Sequence, residues 1–225
     1  MESSPSLPVA LIVPCTEAEG PGRRFAVWLQ GCPLRCPGCC NPEMLPFDGR
    51  TPTPVAELAA RVREARRCWH VEGLTLLGGE PTAHPGTADL AEAVRDLGLS
   101  VMVFSGYTLA ELRTAPSPTV ARLLAATDVL VDGRYDRRQP ESDRRWVGSR
   151  NQVVHALSGR YDLSGPAWRL PQTLELRLRQ GVLTVNGFPG ARQASLWRRI
   201  ALTAGDVSAV DPPAHGLAAG ANGPA

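Results

Sequence analysis

Apolar and polar positions along this chain fall into short blocks whose period changes repeatedly. Val9 to Val13 and Phe25 to Leu29 are apolar runs bounded by Pro and Gly, which predicts two strands around a loop at Gly20-Pro21-Gly22. Val55, Leu58 and Val62 recur at helical spacing, with Thr53 placed to cap that helix and Pro54 at its first position. Leu74 to Leu77 reads as the next strand and runs into Gly78-Gly79-Glu80-Pro81; Leu90, Val94 and Leu97 then mark a helix that Gly98 can end. A strand over Val101 to Phe104 stops at Ser105-Gly106-Tyr107, where Thr108 and Glu111 form a capping box. A helix around Val120 to Ala126 leads to the strand Val129 to Val131, which ends at Asp132-Gly133. Strand, loop and helix in repeated alternation predict a parallel sheet flanked by helices, with its chemistry in the loops at the C-terminal strand ends.

Beyond Gly133 the pattern changes. Arg134 to Arg150 is polar and arginine-rich and precedes Asn151-Gln152. Leu174, Leu176 and Leu178 alternate with charged residues, Gly181 breaks the run and Val182 to Val185 resumes it, which predicts a β-hairpin; a helix is expected near Ala194 to Leu202. From Gly205 onward the Gly, Ala and Pro content predicts a disordered tail. The expected division is a core over 1–165, a hairpin and helix appendage over 166–204, and the tail over 205–225.

A chain of 225 residues can bury a core of its own. Its net charge of +2 is too small to point to nucleic acid or a membrane surface as partner. No apolar run approaches the roughly 18 residues that read as a membrane-spanning helix. Met1-Glu2-Ser3-Ser4-Pro5 lacks the charged and apolar regions of a signal peptide, so the expected location is the cytoplasm, where thiols stay reduced. All 24 basic residues are arginine. Without lysine, Schiff-base and pyridoxal chemistry and the P-loop lysine are excluded.

The candidate chemistry lies in Gly31-Cys32-Pro33-Leu34-Arg35-Cys36-Pro37-Gly38-Cys39-Cys40-Asn41-Pro42-Glu43, where Cys32, Cys36 and Cys39 stand at C-x₃-C-x₂-C spacing. A disulfide framework or a zinc site wants an even number of thiols or a second ligand pair downstream, and the sequence has no such pair. Three thiolates on one short loop suit a [4Fe-4S] cluster with one iron left open, whereas ferredoxin-type clusters close all four positions with cysteine. Structural zinc and three incidental core cysteines are the competing readings. Cys15 and Cys68 read as small buried hydrophobes, and the histidines show no ligand spacing.

The C-x₃-C-x₂-C motif resembles the signature of the radical S-adenosylmethionine (SAM) enzymes, and its Gly-Cys…Cys-Pro-Gly-Cys form is most similar to the activating proteins of anaerobic ribonucleotide reductase. The resemblance implies a partial, open (β/α) barrel and a cluster whose open iron is chelated by the amino and carboxylate groups of SAM. Gly78-Gly79-Glu80-Pro81 resembles the motif that holds the SAM amino group, and Ser105-Gly106-Tyr107 a ribose or carboxylate contact. Asp132 and the Gly148-Ser149-Arg150-Asn151-Gln152 stretch resemble two further motifs, which brings Asp132 and Asn151 into the expected cofactor set. Asp132 as a strand-end turn residue, and Arg150 or Asn151 as an organiser of the polar loop, stay open as alternatives.

What the resemblance implies for activity is reductive cleavage of SAM to methionine and a 5′-deoxyadenosyl radical that abstracts hydrogen, most like an activating protein that makes a glycyl radical on a partner enzyme. The electron would come from a flavodoxin- or ferredoxin-type reductant. A standalone enzyme acting on a small molecule or peptide is the alternative, since the appendage exceeds the length of the compact activating proteins. An electron carrier is a third reading, and it would have no need of Glu80. One departure stands out. Gly38 occupies the place where many superfamily members carry an aromatic residue against adenine, and Cys40 the place where the reductase activators often carry an aromatic, so the role of Cys40 is open between a spare thiol and a redox group.

Overall fold

The computed structural model describes residues 4–179 and 182–188. A two-stranded patch pairs β1 (Ser6–Leu7) antiparallel with β4 (Thr53–Pro54). The main sheet runs in the order β2 (Val9–Thr16), β3 (Arg24–Leu29), β5 (Gly73–Gly78), β6 (Ser100–Phe104), β7 (Val129–Asp132) and β8 (Val153–Ala156). The four inner strands β3, β5, β6 and β7 are parallel, as the alternation predicts. Both edges are antiparallel, so the sheet is mixed. The turn between Thr16 and Arg24 is too short for a crossover and can only return the chain antiparallel, whereas the parallel links pass through α1 (Val55–Trp69), α2 (Gly86–Asp96), α3 (Leu109–Thr114) and α4 (Pro118–Ala126).

Alternation along the strands sorts the two faces. Phe25, Val27, Leu29, Leu74, Leu76, Val101, Val103 and Leu130 pack on one side against Leu58, Val62, Leu90, Val94 and Leu123 of the helices. Ala26, Trp28, Leu77, Met102, Val129 and Val131 line the other side, which no α-helix of the described residues covers; Trp146 and Trp168 pack there edge to face, with ring centroids 5.1 Å apart.

Two local expectations fare differently. Thr108 and Glu111 form the capping box at the start of α3 with both of its hydrogen bonds. Thr53 does not cap α1: its backbone is held in the β1–β4 ladder, the helix begins at Val55 after Pro54, and the Val55 N–H is satisfied at 2.9 Å by the Pro5 carbonyl.

The hairpin forms as β9 (Leu174–Arg179) and β10 (Val182–Gly187). It docks on the end of β2. Glu175 Oε1 accepts from Glu17 N at 2.7 Å, Arg177 Nη2 donates to Cys15 O at 2.6 Å, and Asn186 Nδ2 donates to Thr16 Oγ1 at 2.9 Å. Beyond it, Phe188 stacks on Phe104 at the end of β6, with centroids 5.5 Å apart. The expected helix near 194–202 and the tail from 205 lie outside the described residues. Among the described residues no helix is long and apolar enough to cross a membrane.

Glu19 is 2 % exposed at this docking point. Burial pushes its carboxyl up to about 8, against the opposing pull of hydrogen bonds from the Gly187 backbone and the Asn186 side chain. An acid with its folded value raised this way is neutral in the fold and ionised in the unfolded chain between pH 4.5 and about 8, so stability falls as pH rises through that window. Wild type is expected to lose on the order of 3 kcal/mol from this group by pH 7. Glu19→Gln should flatten the slope of melting temperature against pH between 5 and 8, measured by calorimetric melts; an unchanged slope would show that Glu19 is not buried as a neutral acid.

Candidate cofactor site

The cysteine loop leaves the C-terminal end of β3 and closes on itself. Gly31 N donates to Met44 O at 2.9 Å and Cys32 N to Leu45 O at 3.1 Å, while the Gln30 amide bridges the carbonyls of Glu43 and Pro46 at 3.0 and 2.9 Å. Within it, Cys39 N bonds Cys36 O at 3.1 Å, and Arg35 and Gly38 hold left-handed backbone with φ of 48° and 75°. Cys32, Cys36 and Cys39 are partly buried and Cys40 is exposed. Burial pushes the Cys32 thiol up while backbone N–H groups of Leu34 and Arg35 pull it down; burial likewise raises Cys39, and the Cys36 and Cys32 sulfurs add to the rise.

Among the described residues no three His, Cys, Asp or Glu side chains are gathered on one point as for a single metal ion. A four-iron cluster spaces its cysteines more widely than one ion does, and three part-buried thiols on one closed loop fit that donor set.

Against this loop lies the turn after β5. Gly78 has φ of +99°, and a Cβ on Gly79 would stand 2.3 Å from the Gly31 carbonyl, so glycine at these positions is what lets the two loops touch. Gly79 N donates to Leu29 O at 2.7 Å and Glu80 N to Gly31 O at 2.9 Å, and His84 Nε2 lies 3.3 Å from the same Gly31 oxygen. The Glu80 carboxylate is 1 % exposed. Its Oε1 accepts from Thr82 N at 3.0 Å, Thr82 Oγ1 at 2.7 Å and Ser105 Oγ at 2.9 Å, and its Oε2 from Gly106 N at 2.8 Å. Burial raises its pKa and these donors oppose the rise. Leu34 of the cysteine loop packs over Gly106, with its Cδ1 2.4 Å from where a Cβ would stand. Ser105 and Gly106 thus meet Glu80, and Tyr107 N donates to Ser105 Oγ at 3.1 Å. Beside them an open groove of about 510 Å³ is lined by Pro33, Thr82, Tyr107 and Leu112.

Asp132 and Asn151 make their hydrogen bonds to other partners. Asp132 shares the helix-side face of β7 with Leu130; its Oδ2 accepts from Leu109 N at 2.5 Å and pairs with His155 Nε2 at 2.9 Å, so it anchors the start of α3. Asn151 is exposed and donates to Arg134 O at 2.7 Å, which matches the alternative in which it organises the polar loop. Gln152 does more of that work, accepting from Gly148 N and Ser149 N at 3.0 Å each and donating to Gly133 O at 2.9 Å. Sequence reasoning assigned nothing to His84 and His155. The register of β8 on β7, which sets His155 opposite Leu130, is the signal that would have placed the second; His84 carried none.

Removing the Glu80 carboxylate would strand four donor groups, the Thr82 N–H and hydroxyl, the Ser105 hydroxyl and the Gly106 N–H. Glu80→Ala is therefore expected to lower the free energy of unfolding by roughly 2–4 kcal/mol in urea titrations, independently of any ligand; a change under about 0.5 kcal/mol would show that these bonds do not hold the turn.

Residues 18–155 match the family described as a 4Fe-4S single cluster domain. The chain is 32 % identical over 152 residues to the anaerobic ribonucleoside-triphosphate reductase-activating protein of Salmonella typhi, an alignment covering 64 % of this chain and 95 % of that protein. The protein of the same name from Pasteurella multocida is 30 % identical over 157 residues, covering 64 % of this chain and 94 % of its own length. That of Enterobacteria phage T4 is 28 % identical over 151 residues, 63 % of this chain and 88 % of its own. A solved structure, QueE from Escherichia coli, overlaps 46 % of this chain and 54 % of its own at 19 % identity with a TM-score of 0.37, too loose a correspondence to specify a fold. With a single-cluster domain across more than half of its length and near-complete coverage of these relatives, this chain belongs to the 4Fe-4S family of anaerobic ribonucleoside-triphosphate reductase-activating proteins.

Proposed function

We propose that this protein is a radical SAM activating enzyme that makes a glycyl radical on a partner, with Cys32, Cys36 and Cys39 as the cluster ligands. The observation that carries the reading is the junction at Gly31, where the cysteine loop and the Gly78-Gly79-Glu80-Pro81 turn are hydrogen-bonded to each other at adjacent strand ends. When bound, the reduced [4Fe-4S] cluster and SAM supply a 5′-deoxyadenosyl radical able to abstract hydrogen from a substrate. The chain's own part is positional. The Gly31 junction fixes the thiols relative to Glu80, the second oxygen of Glu80 keeps an unused lone pair for an ammonium group, and Leu34 shields the site from water. Gly78, Gly79 and Pro81 shape the turn, Ser105 and Gly106 hold the Glu80 carboxylate, and Tyr107 lines the groove open to the rest of the cofactor. Asp132 and Asn151 serve as positioning residues, through α3 and the polar loop respectively. Four parallel strands with site loops at their C-terminal ends support the partial, open (β/α) barrel as the finer form of the fold. A flavodoxin- or ferredoxin-type protein is the proposed electron donor and anaerobic ribonucleotide reductase the proposed partner.

A second reading, a standalone radical SAM enzyme acting on a small molecule or peptide, is favoured by one observation. An alignment covering 95 % of the Salmonella relative leaves more than a third of this chain unmatched, and the hairpin lies in a stretch beyond the family domain.

The test is anaerobic reconstitution with iron and sulfide, reduction, and addition of SAM together with the anaerobic ribonucleotide reductase encoded in the same genome. Expected are 5′-deoxyadenosine by mass spectrometry and an organic radical on the reductase by electron paramagnetic resonance. Alanine at Cys32, Cys36 or Cys39 should abolish both, together with the cluster's visible absorption. Full iron content in such a variant would overturn the ligand assignment, and 5′-deoxyadenosine without a radical on the reductase would favour the second reading.

A further inference from the structure

The loop that follows β7 borders both halves of the site. The Arg134 guanidinium lies over the Tyr107 ring, 5.6 Å from its centroid. The Tyr135 hydroxyl shares a hydrogen bond with the Cys40 thiol. Arg137 runs across Gly38: a Cβ there would lie 2.3 Å from Arg137 Cδ and 3.2 Å from both Cγ and Nε, so a side chain on the residue before the last cluster cysteine would push Arg137 aside, and the left-handed backbone there, with φ of 75°, itself favours glycine. Residues 134–137 thus span from the Ser105-Gly106-Tyr107 turn to the cysteine loop. Arg137 is exposed and has no ion pair or side-chain hydrogen bond among the described residues, whereas Arg134 pairs with Glu111 and Arg138 with Asp136.

A guanidinium is a flat, weakly hydrated cation that stacks on aromatic rings, and this chain already uses it so on Tyr107 and Trp146. The cofactor carries one such ring, adenine, and the cysteine loop offers it no flat side chain at position 38. We propose that Arg137 stacks its guanidinium on the adenine of bound SAM, supplying from a neighbouring loop the surface that Gly38 lacks. This rests on the radical SAM reading above and adds to it a binding residue outside every motif that suggested it. Gly38 and Arg137 form one unit, since a side chain at position 38 would displace the arginine.

The test is the affinity of the iron-loaded protein for SAM by anaerobic calorimetry, in wild type, Arg137→Lys and Arg137→Tyr, with iron content measured in each. A stacked plane predicts that Arg137→Lys, which keeps the charge and loses the plane, binds roughly three- to tenfold more weakly, and that Arg137→Tyr stays within about twofold of wild type. The reverse order, with lysine tolerated and tyrosine not, would mean that a charge on the SAM carboxylate is at work and would overturn the proposal. Equal affinities in all three, or loss of iron in both variants, would overturn it as well, the first by showing no contact and the second by making Arg137 a loop-closing residue. Failure of wild type itself to bind SAM would sink the underlying reading and this inference with it.

Discussion

The Glu80 carboxylate accepts from Thr82, Ser105 and Gly106 while its own backbone N–H donates to Gly31, so one buried residue joins the loops that follow β3, β5 and β6. A carboxylate removed from water costs several kcal/mol unless its oxygens are met by donors, and here four meet them. The arrangement makes the three strand ends interdependent. The position of the cysteine loop follows from Gly31, that of Gly31 from the glycine turn, and that of the turn from the carboxylate it ends on. Glu80 therefore has two parts in the proposed chemistry, as the organiser of the site and as an acceptor with one lone pair to spare.

The two faces of the sheet divide the labour. The helix-side face is a continuous apolar layer that fixes strand spacing. The other face is covered by Trp146, Trp168 and the segment leading into and out of the hairpin, with Phe188 reaching Phe104, the residue before Ser105. Phe188, beyond the family domain, thus packs one side chain away from the turn that meets Glu80. An activating protein with this addition keeps its cofactor machinery and acquires a different wall beside it.

Most of this was legible in local pattern. Each inner strand was a near-continuous apolar run, broken inside only by Thr75 of β5, whose buried hydroxyl donates to Glu19 O, and the chemistry-bearing turns followed directly from those runs, because a parallel strand buried on both faces has little place for polar residues until it ends. The antiparallel return of β2 into β3 follows from the short loop at Gly20-Pro21-Gly22, whereas the β8 edge was not legible, since no strand pattern marks Val153–Ala156 and its pairing depends on what is left to cover. Thr53 misled because its capping signal lost to a ladder formed with Ser6–Leu7, a partner distant in sequence. Asp132 entered the expected cofactor set through a motif resemblance, and the period-2 rule puts it on the helix side with Leu130, where it pairs with His155 and holds the start of α3. Arg137 had no sequence signal at all, since its meeting with Gly38 joins two loops about a hundred residues apart and only the folded chain brings them together.

The hydrogen bonds that dock the hairpin have a consequence for the order in which the molecule is made. Glu17 with Glu175 and Thr16 with Asn186 join residues 158 and 170 positions apart, so these contacts form only when synthesis is well advanced. The cysteine loop closes on itself through partners between Pro8 and Pro46, all near it in sequence. The bonds that close the cysteine loop on itself are thus local in sequence while those that wall the far side of the sheet are long-range, so a change that undocks the hairpin would open that wall and leave the loop's own closure in place.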